Sequence, residues 1–283
     1  MYKILKNTLD ILNKNLWLIF VFAILLYIIL IYLGMINGNT PYFWQFILAV
    51  ITFIALVTIS VAGYLGIVKE ILLNPEDEIK KELGNIFPKS IAQYFLPVNG
   101  FVAIGFIVFV TAFLITNIIG VKLIGMFSFS SEALMGALNS ADAINEFMKL
   151  FTPEDLVKVR MWHIFYSLLW VLGSYLCIYW LPVILFKISN PFWAFIEAIK
   201  SSFKKPLKTF LLVITIWTVN FIVYPLMVIL ANFWIMYPFA ILVWLYAGTY
   251  LSLLTMNMYK VIFIDENISS YEQIEQCEKD EEE

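Results

Sequence analysis

Six stretches of this chain, residues 16–36, 43–68, 95–119, 162–186, 209–231 and 238–260, contain no Asp, Glu, Lys or Arg except Lys260 at the end of the last. A hydrocarbon core about 30 Å thick takes about 20 apolar residues as helix, and each stretch meets that length. In lipid the backbone polar groups must be satisfied internally, which leaves helices and closed barrels. A barrel would alternate over strands of about ten residues, so runs this long exclude it. Composition agrees, with 62% apolar and 14% charged residues, where a soluble domain has about 45–50% and about 25%. The expected fold is therefore all-α, a polytopic membrane protein of six transmembrane helices. Soluble enzymes, nucleic-acid binders and secreted disulfide scaffolds are excluded. Cys177 lies in an apolar run and Cys277 in an acidic tail, so the two form no framework. The first apolar run is too long for a cleavable leader, and residues 34–38 offer no small-x-small cleavage site.

The lysines orient the spans. Segments 1–15, 69–94, 187–208 and 260–283 hold 14 basic residues, and the remaining segments hold only Lys122, Lys149, Lys158 and Arg160. The turns 37–42 and 232–237 carry no charge. By the positive-inside rule both termini are cytoplasmic, in a multi-pass protein of the cytoplasmic membrane. Trp17, Tyr42-Phe43-Trp44, Tyr94-Phe95, Phe192-Trp193 and Phe233-Trp234 mark the predicted interfaces.

The hydropathy pattern admits two readings, a threefold repeat or the crowding of lysines at cytoplasmic boundaries that any membrane protein shows. In residues 2–15 the polar Lys3, Lys6, Asn7, Asp10 and Lys14 share one helical face; Glu78, Lys81, Glu82, Asn85 and Lys89 repeat that spacing, as do Glu197, Lys200, Ser201, Lys204 and Lys208. Leu5, Leu9 and Leu12, or Ile79, Leu83 and Ile86, lie opposite. These segments read as helices in the cytoplasmic interface, with lysines reaching toward headgroups. Each precedes a two-span hairpin closed by Lys69, Lys187 or Lys260. Residues 1–264 then form one membrane domain of three units, 1–76, 77–190 and 191–264, the middle one enlarged by an outer-loop insertion at 120–160. Units of two spans share one orientation, so their axis runs along the membrane normal, unlike the inverted repeats of many transporters. Residues 265–283 form an acidic tail with nine Asp/Glu and one lysine, expected to be disordered.

The alternation of a lysine-rich amphipathic stretch with a span, as in residues 194–205 (AFIEAIKSSFKK), resembles poorly characterised prokaryotic multi-span families. Among them is the membrane domain that precedes glycerophosphodiester phosphodiesterases. The resemblance covers most of the chain without a specific motif, and that family's catalytic domain is absent from this sequence, so no phosphodiesterase activity is implied.

Chemistry is sparse. Ionisable groups within spans mark proton and ion pathways, and none stands near a span centre here. No Gly-rich phosphate loop is present, and a single histidine makes a histidine-rich metal site impossible. No enzymatic activity and no cofactor are expected. Asn99, Asn117 and Asn220 inside spans are candidates for a polar path, or for simple interhelical hydrogen bonds; Asn257 lies near a span's cytoplasmic end. Pro97, Pro182 and Pro225 are expected to kink their helices. His163, near Arg160 and Asp155, is a candidate pH-sensing group or an interfacial hydrogen-bonder. Thr152-Pro153-Glu154-Asp155 has the pattern of a capped helix start leading into the fourth span. The outer segment 131–151 reads as a helical cap.

The expected function is a non-enzymatic, lipid-interacting or scaffold-like membrane protein. Its headgroup candidates are Lys3, Lys6, Lys14, Lys81, Lys89, Lys200, Lys204, Lys205 and Lys208, its partners are anionic membrane lipids, and the acidic tail is a candidate docking point for a cytoplasmic protein. The alternative is a transporter, or the membrane subunit of an export system, for a lipid or hydrophobic peptide.

Overall fold

The computed structural model describes residues 1–38, 43–74, 79–126, 151–233 and 236–265. Every regular element among them is helical: α1 (Tyr2–Lys14), α2 (Trp17–Gly38), α3 (Phe43–Leu73), α4 (Ile79–Leu123), α5 (Pro153–Cys177), α6 (Trp180–Phe186), α7 (Pro191–Lys204), α8 (Pro206–Ala231) and α9 (Tyr237–Tyr259). A π-helical turn over Lys260–Asp265 extends α9. Six helical stretches are long and apolar enough to cross a membrane. The acidic tail after Asp265, outer-loop residues 127–150, Glu78 and the side chain of Lys81 lie outside the described residues.

Apolar side chains cover the outside of these helices. On α2, Phe20, Ile24, Tyr27 and Ile31 form one exposed stripe, and on α8 Phe221, Tyr224 and Val228 form another. Stripes of this kind belong against an apolar solvent. Within the spans Thr52, Thr215, Thr249 and Thr255 each donate to the carbonyl four residues earlier. Returning the hydroxyl to its own helix is how a polar side chain is satisfied where water is missing.

Two span boundaries differ from expectation. The fourth stretch begins at Pro153, earlier than residue 162, and breaks between α5 and α6 at Ile178-Tyr179. Pro182 has no N–H for the Ile178 carbonyl, and its ring crowds that position. Tyr179 and Trp180, at the break, are both buried. Pro97 and Pro225, by contrast, stay inside continuous helices. The third stretch extends backward, because α4 holds the lysine-rich 79–90 segment and the span in one 45-residue helix. Its contour length is about 68 Å at about 1.5 Å per residue, twice the hydrocarbon thickness of about 30 Å.

The chain forms two compact units, and each has its own packing. The larger comprises residues 1–104 and 175–283. Its core lies at the C-terminal ends of α3, α6 and α9, where Ile67, Val68, Ile71, Val183, Leu253, Met258 and Tyr259 are buried. Three shorter helical segments dock there. On α1, Thr8 Oγ1 accepts from Asn257 Nδ2 of α9 at 2.9 Å, and Leu12 is fully buried. The start of α4 sits against α3 so closely that a Cβ at Gly63 would strike the Phe87 ring and one at Gly66 would overlap the Ser90 side chain. The third segment, α7, is held by Trp180 of α6, whose Nε1 donates to the Pro191 carbonyl at 2.8 Å and whose ring meets Phe195.

The smaller unit, residues 105–174, pairs the second half of α4 with α5. Phe109, Phe113, Trp162, Tyr166 and Trp170 form an aromatic ladder between them. Gly120 makes room for Trp162, whose indole N–H donates to the Gly125 carbonyl at 3.3 Å. Gly125 itself has φ +92°, a left-handed turn that suits glycine. The expected start of α5 is present: Thr152 Oγ1 accepts from the Asp155 N–H at 3.1 Å, and Asp155 Oδ2 accepts from the Thr152 N–H at 3.2 Å.

Candidate functional site

The three docked segments present their side chains in a common order. With about 100° between successive residues, α1 turns its buried Thr8 and Leu12 to the core, then exposed Tyr2, Leu9 and Leu16 beside and just beyond its end, then exposed Lys3, Lys6 and Lys14. Turning the same way, α7 shows buried Ala194, Ala198, Ser201 and Ser202, then exposed Phe192 and Phe203, then exposed Lys200 and Lys204. The start of α4 shows buried Ser90 and Tyr94, then exposed Pro88 and Ala92, then exposed Glu82, Lys89 and Gln93. Each segment thus carries a core stripe followed, turning one way, by apolar or small exposed residues and then by polar ones, with exposed Trp193 of α7 set among the lysines of its polar side.

Six of the nine headgroup candidates are exposed: Lys3, Lys6, Lys14, Lys89, Lys200 and Lys204. Lys205 occupies the break between α7 and α8, where Pro206 opens the next helix. It and Lys208 are half-buried and engaged by neighbours. The side chain of Lys81 lies outside the described residues.

The lysines that close the returning helices behave differently. Lys187 pairs with Glu197 of α7. Lys69 and Lys260 are half-buried. The Lys69 ammonium donates to Tyr94 Oη at 2.6 Å and lies 5.3 Å and 5.8 Å from the ring centroids of Tyr94 and Phe186. Lys260 Nζ donates to the Leu72 carbonyl at 2.8 Å. The sequence marked these positions only as the ends of spans, and periodicity alone carries no sign of which lysine finds a carboxylate.

The span asparagines are placed as follows. Asn117 donates to the Phe113 carbonyl at 2.8 Å and accepts from Tyr166 Oη at 3.0 Å. Asn220 is exposed and donates to the Ile216 carbonyl of its own helix at 2.9 Å. Asn99 is half-buried on α4. Asn257, unlike these, is fully engaged in the core through Thr8. On α5, His163 and Arg160 are exposed while Asp155 is buried in the helix cap. Among the described residues no cluster of three or more His, Cys, Asp or Glu could hold a metal ion.

No protein-family model, curated protein or solved structure matches this chain.

Proposed function

We propose that this chain is a non-enzymatic, lipid-interacting protein of the cytoplasmic membrane, built as three copies of an interfacial helical segment followed by a two-span hairpin, the second segment running without a break into its span in α4. The observation that carries the proposal is the shared order of stripes on α1, the start of α4, and α7. A helix that docks on a bundle at the membrane surface meets three environments: the bundle on one side, acyl chains on another and water on the third. Three stripes of one handedness fit that placement, and lysines on the wet stripe then lie at headgroup level. The docking is cyclic, since α1 packs on the last returning helix, α4 on the first and α7 on the second.

In this proposal Lys3, Lys6, Lys14, Lys89, Lys200 and Lys204 gather anionic lipid on the cytoplasmic face, with both termini on that side. Each contributes about 1 kcal/mol near an anionic surface, screened over about 8 Å at physiological salt. Lysine suits such loose contact, where a fixed bidentate grip would call for arginine. The acidic tail, beyond the lipid-facing helices, is left to dock a cytoplasmic protein.

The test replaces the exposed Lys3, Lys6, Lys14, Lys200 and Lys204 with glutamine. Phosphatidylglycerol or cardiolipin retained after purification is then measured by native mass spectrometry, with membrane topology checked first. The number of retained anionic lipids should fall, and raising salt should lower it in the wild type. Unchanged retention in a correctly inserted variant would leave these lysines a role in topology alone.

A further inference from the structure

The end of α9 lies beside the start of α1. The Thr8–Asn257 hydrogen bond fixes the register of the two helices. On one side of it Leu12 shares a cluster with Leu253 and Met256; on the other, Met1, Ile4 and Leu5 pack with Met258, Tyr259 and Ile262. The helices therefore run antiparallel. Met1 and Ile264 each stand seven residues from the bonded pair, about 10 Å at about 1.5 Å per residue, and both pack on the second cluster. Asp265 thus leaves the bundle next to the first turn of α1, which carries exposed Lys3 and, one turn later, exposed Lys6. That turn holds no acidic residue, and its N-cap Met1 offers no side-chain acceptor, so the positive end of the helix dipole adds to the lysines. On the same cluster α7 packs through Ala194 and Ala198 and carries exposed Lys200 and Lys204.

Residues 266–283 hold eight Asp/Glu and one lysine. That length reaches at most about 60 Å at about 3.3 Å per residue, whereas packed helices stand about 8–10 Å apart. Both lysine pairs are within reach. Exposed ion pairs are weak singly, but a tethered partner acts at a millimolar effective concentration, so even a weak contact is substantially formed. The tail and anionic lipid carry the same sign and seek the same cations.

We propose that the acidic tail covers Lys3 and Lys6 of α1 and Lys200 and Lys204 of α7, and that anionic lipid must displace it. This rests on the reading of those lysines as a headgroup surface and adds its regulation, with the tail as an intrachain competitor. Tail and lipid exclude one another. By linkage, whatever draws the tail away raises lipid affinity, and lipid frees the tail.

Carbodiimide joins a carboxylate to a lysine in direct contact, and it can be applied to the full chain in neutral detergent. Peptide mapping of the monomer should find tail acids joined to Lys3 or Lys6 and to Lys200 or Lys204. Phosphatidylglycerol should suppress these links, and phosphatidylcholine should not. In a variant, the six glutamates from Glu272 onward become glutamine and Asp280 becomes asparagine. Its affinity for phosphatidylglycerol, read by native mass spectrometry, should rise about fivefold, the worth of one lysine contact released. Salt near 1 M, where screening acts within about 3 Å, should erase the difference. The five-lysine glutamine variant described above loses lipid if the headgroup surface is right, whatever the tail does. Loss there with unchanged affinity in the tail variant overturns this inference alone, and unchanged retention there overturns both. Tail links found only in a crosslinked dimer, or only to lysines other than these four, overturn it as well.

Discussion

Substituting Gly66→Ala tests how the start of α4 is held against α3. A Cβ built at Gly66 overlaps both Cβ and Oγ of Ser90 and comes within 3.4 Å of its Cα. Carbon atoms in contact rest about 3.5–4.0 Å apart, and neither Cβ can rotate away because each is fixed to its backbone. The helices must therefore separate by roughly 1–2 Å. Overpacking of this kind costs about 1–3 kcal/mol, and a clash between two backbone-fixed atoms belongs in the upper half of that range. Ser90→Gly alone should cost about 0.5 kcal/mol through helix propensity. Together, G66A and S90G exchange which helix carries the notch, and the alanine regains about 1 kcal/mol of propensity. The double variant should therefore lie close to wild type, with a coupling energy of about 3 kcal/mol in the stabilising direction. Unfolding of the four proteins in one detergent, at one lipid content, measures the cycle. Additivity within about 0.5 kcal/mol, or a neutral G66A, would refute close docking at this crossing.

The Thr8–Asn257 bond makes a second cycle: Thr8→Val leaves the buried Asn257 amide unpaired and should cost about 1–3 kcal/mol, whereas T8V with Asn257→Leu should be nearly neutral. Equal losses in the single and double variants would show that the polar pair does not act as a unit. Orientation can be read by cysteine labelling in a background lacking Cys177 and Cys277. A cysteine at Asn7 should react from the cytoplasmic side and one at Lys122 from the outside; the reverse pattern would overturn the assignment from the lysine distribution.

Much of the secondary structure was legible in the sequence, because lipid imposes few choices. A charge-free run of about 20 residues must satisfy its backbone internally, and residues 16–36 or 209–231 leave no alternative to a helix. The α5 start was equally plain, since a cap box is a contact within four residues. The Pro182 break was harder to place. Three prolines interrupt apolar runs, and nothing in the local sequence tells Pro182, at the break, from Pro97 and Pro225, which stay inside continuous helices. The lysine-rich start of α4 could be recognised as amphipathic, but its continuity with the span could not, because nothing local ends the helix at residue 90.

By itself, then, the sequence determined which segments are apolar helices and where the basic residues cluster, since both follow from composition and short-range periodicity. Only the tertiary structure decided which lysines stay exposed and which are drawn inward. Lys69 in the last turns of α3, Lys187 just past α6 and Lys260 just past α9 meet different partners: a tyrosine hydroxyl, Glu197 and a backbone carbonyl. The partners lie on other helices, between 10 and 188 residues away along the chain. Their meeting depends on glycine notches and aromatic contacts between helices. No period along the chain records such a meeting, because a side chain's electrostatic surroundings are set by the neighbours that packing brings to it.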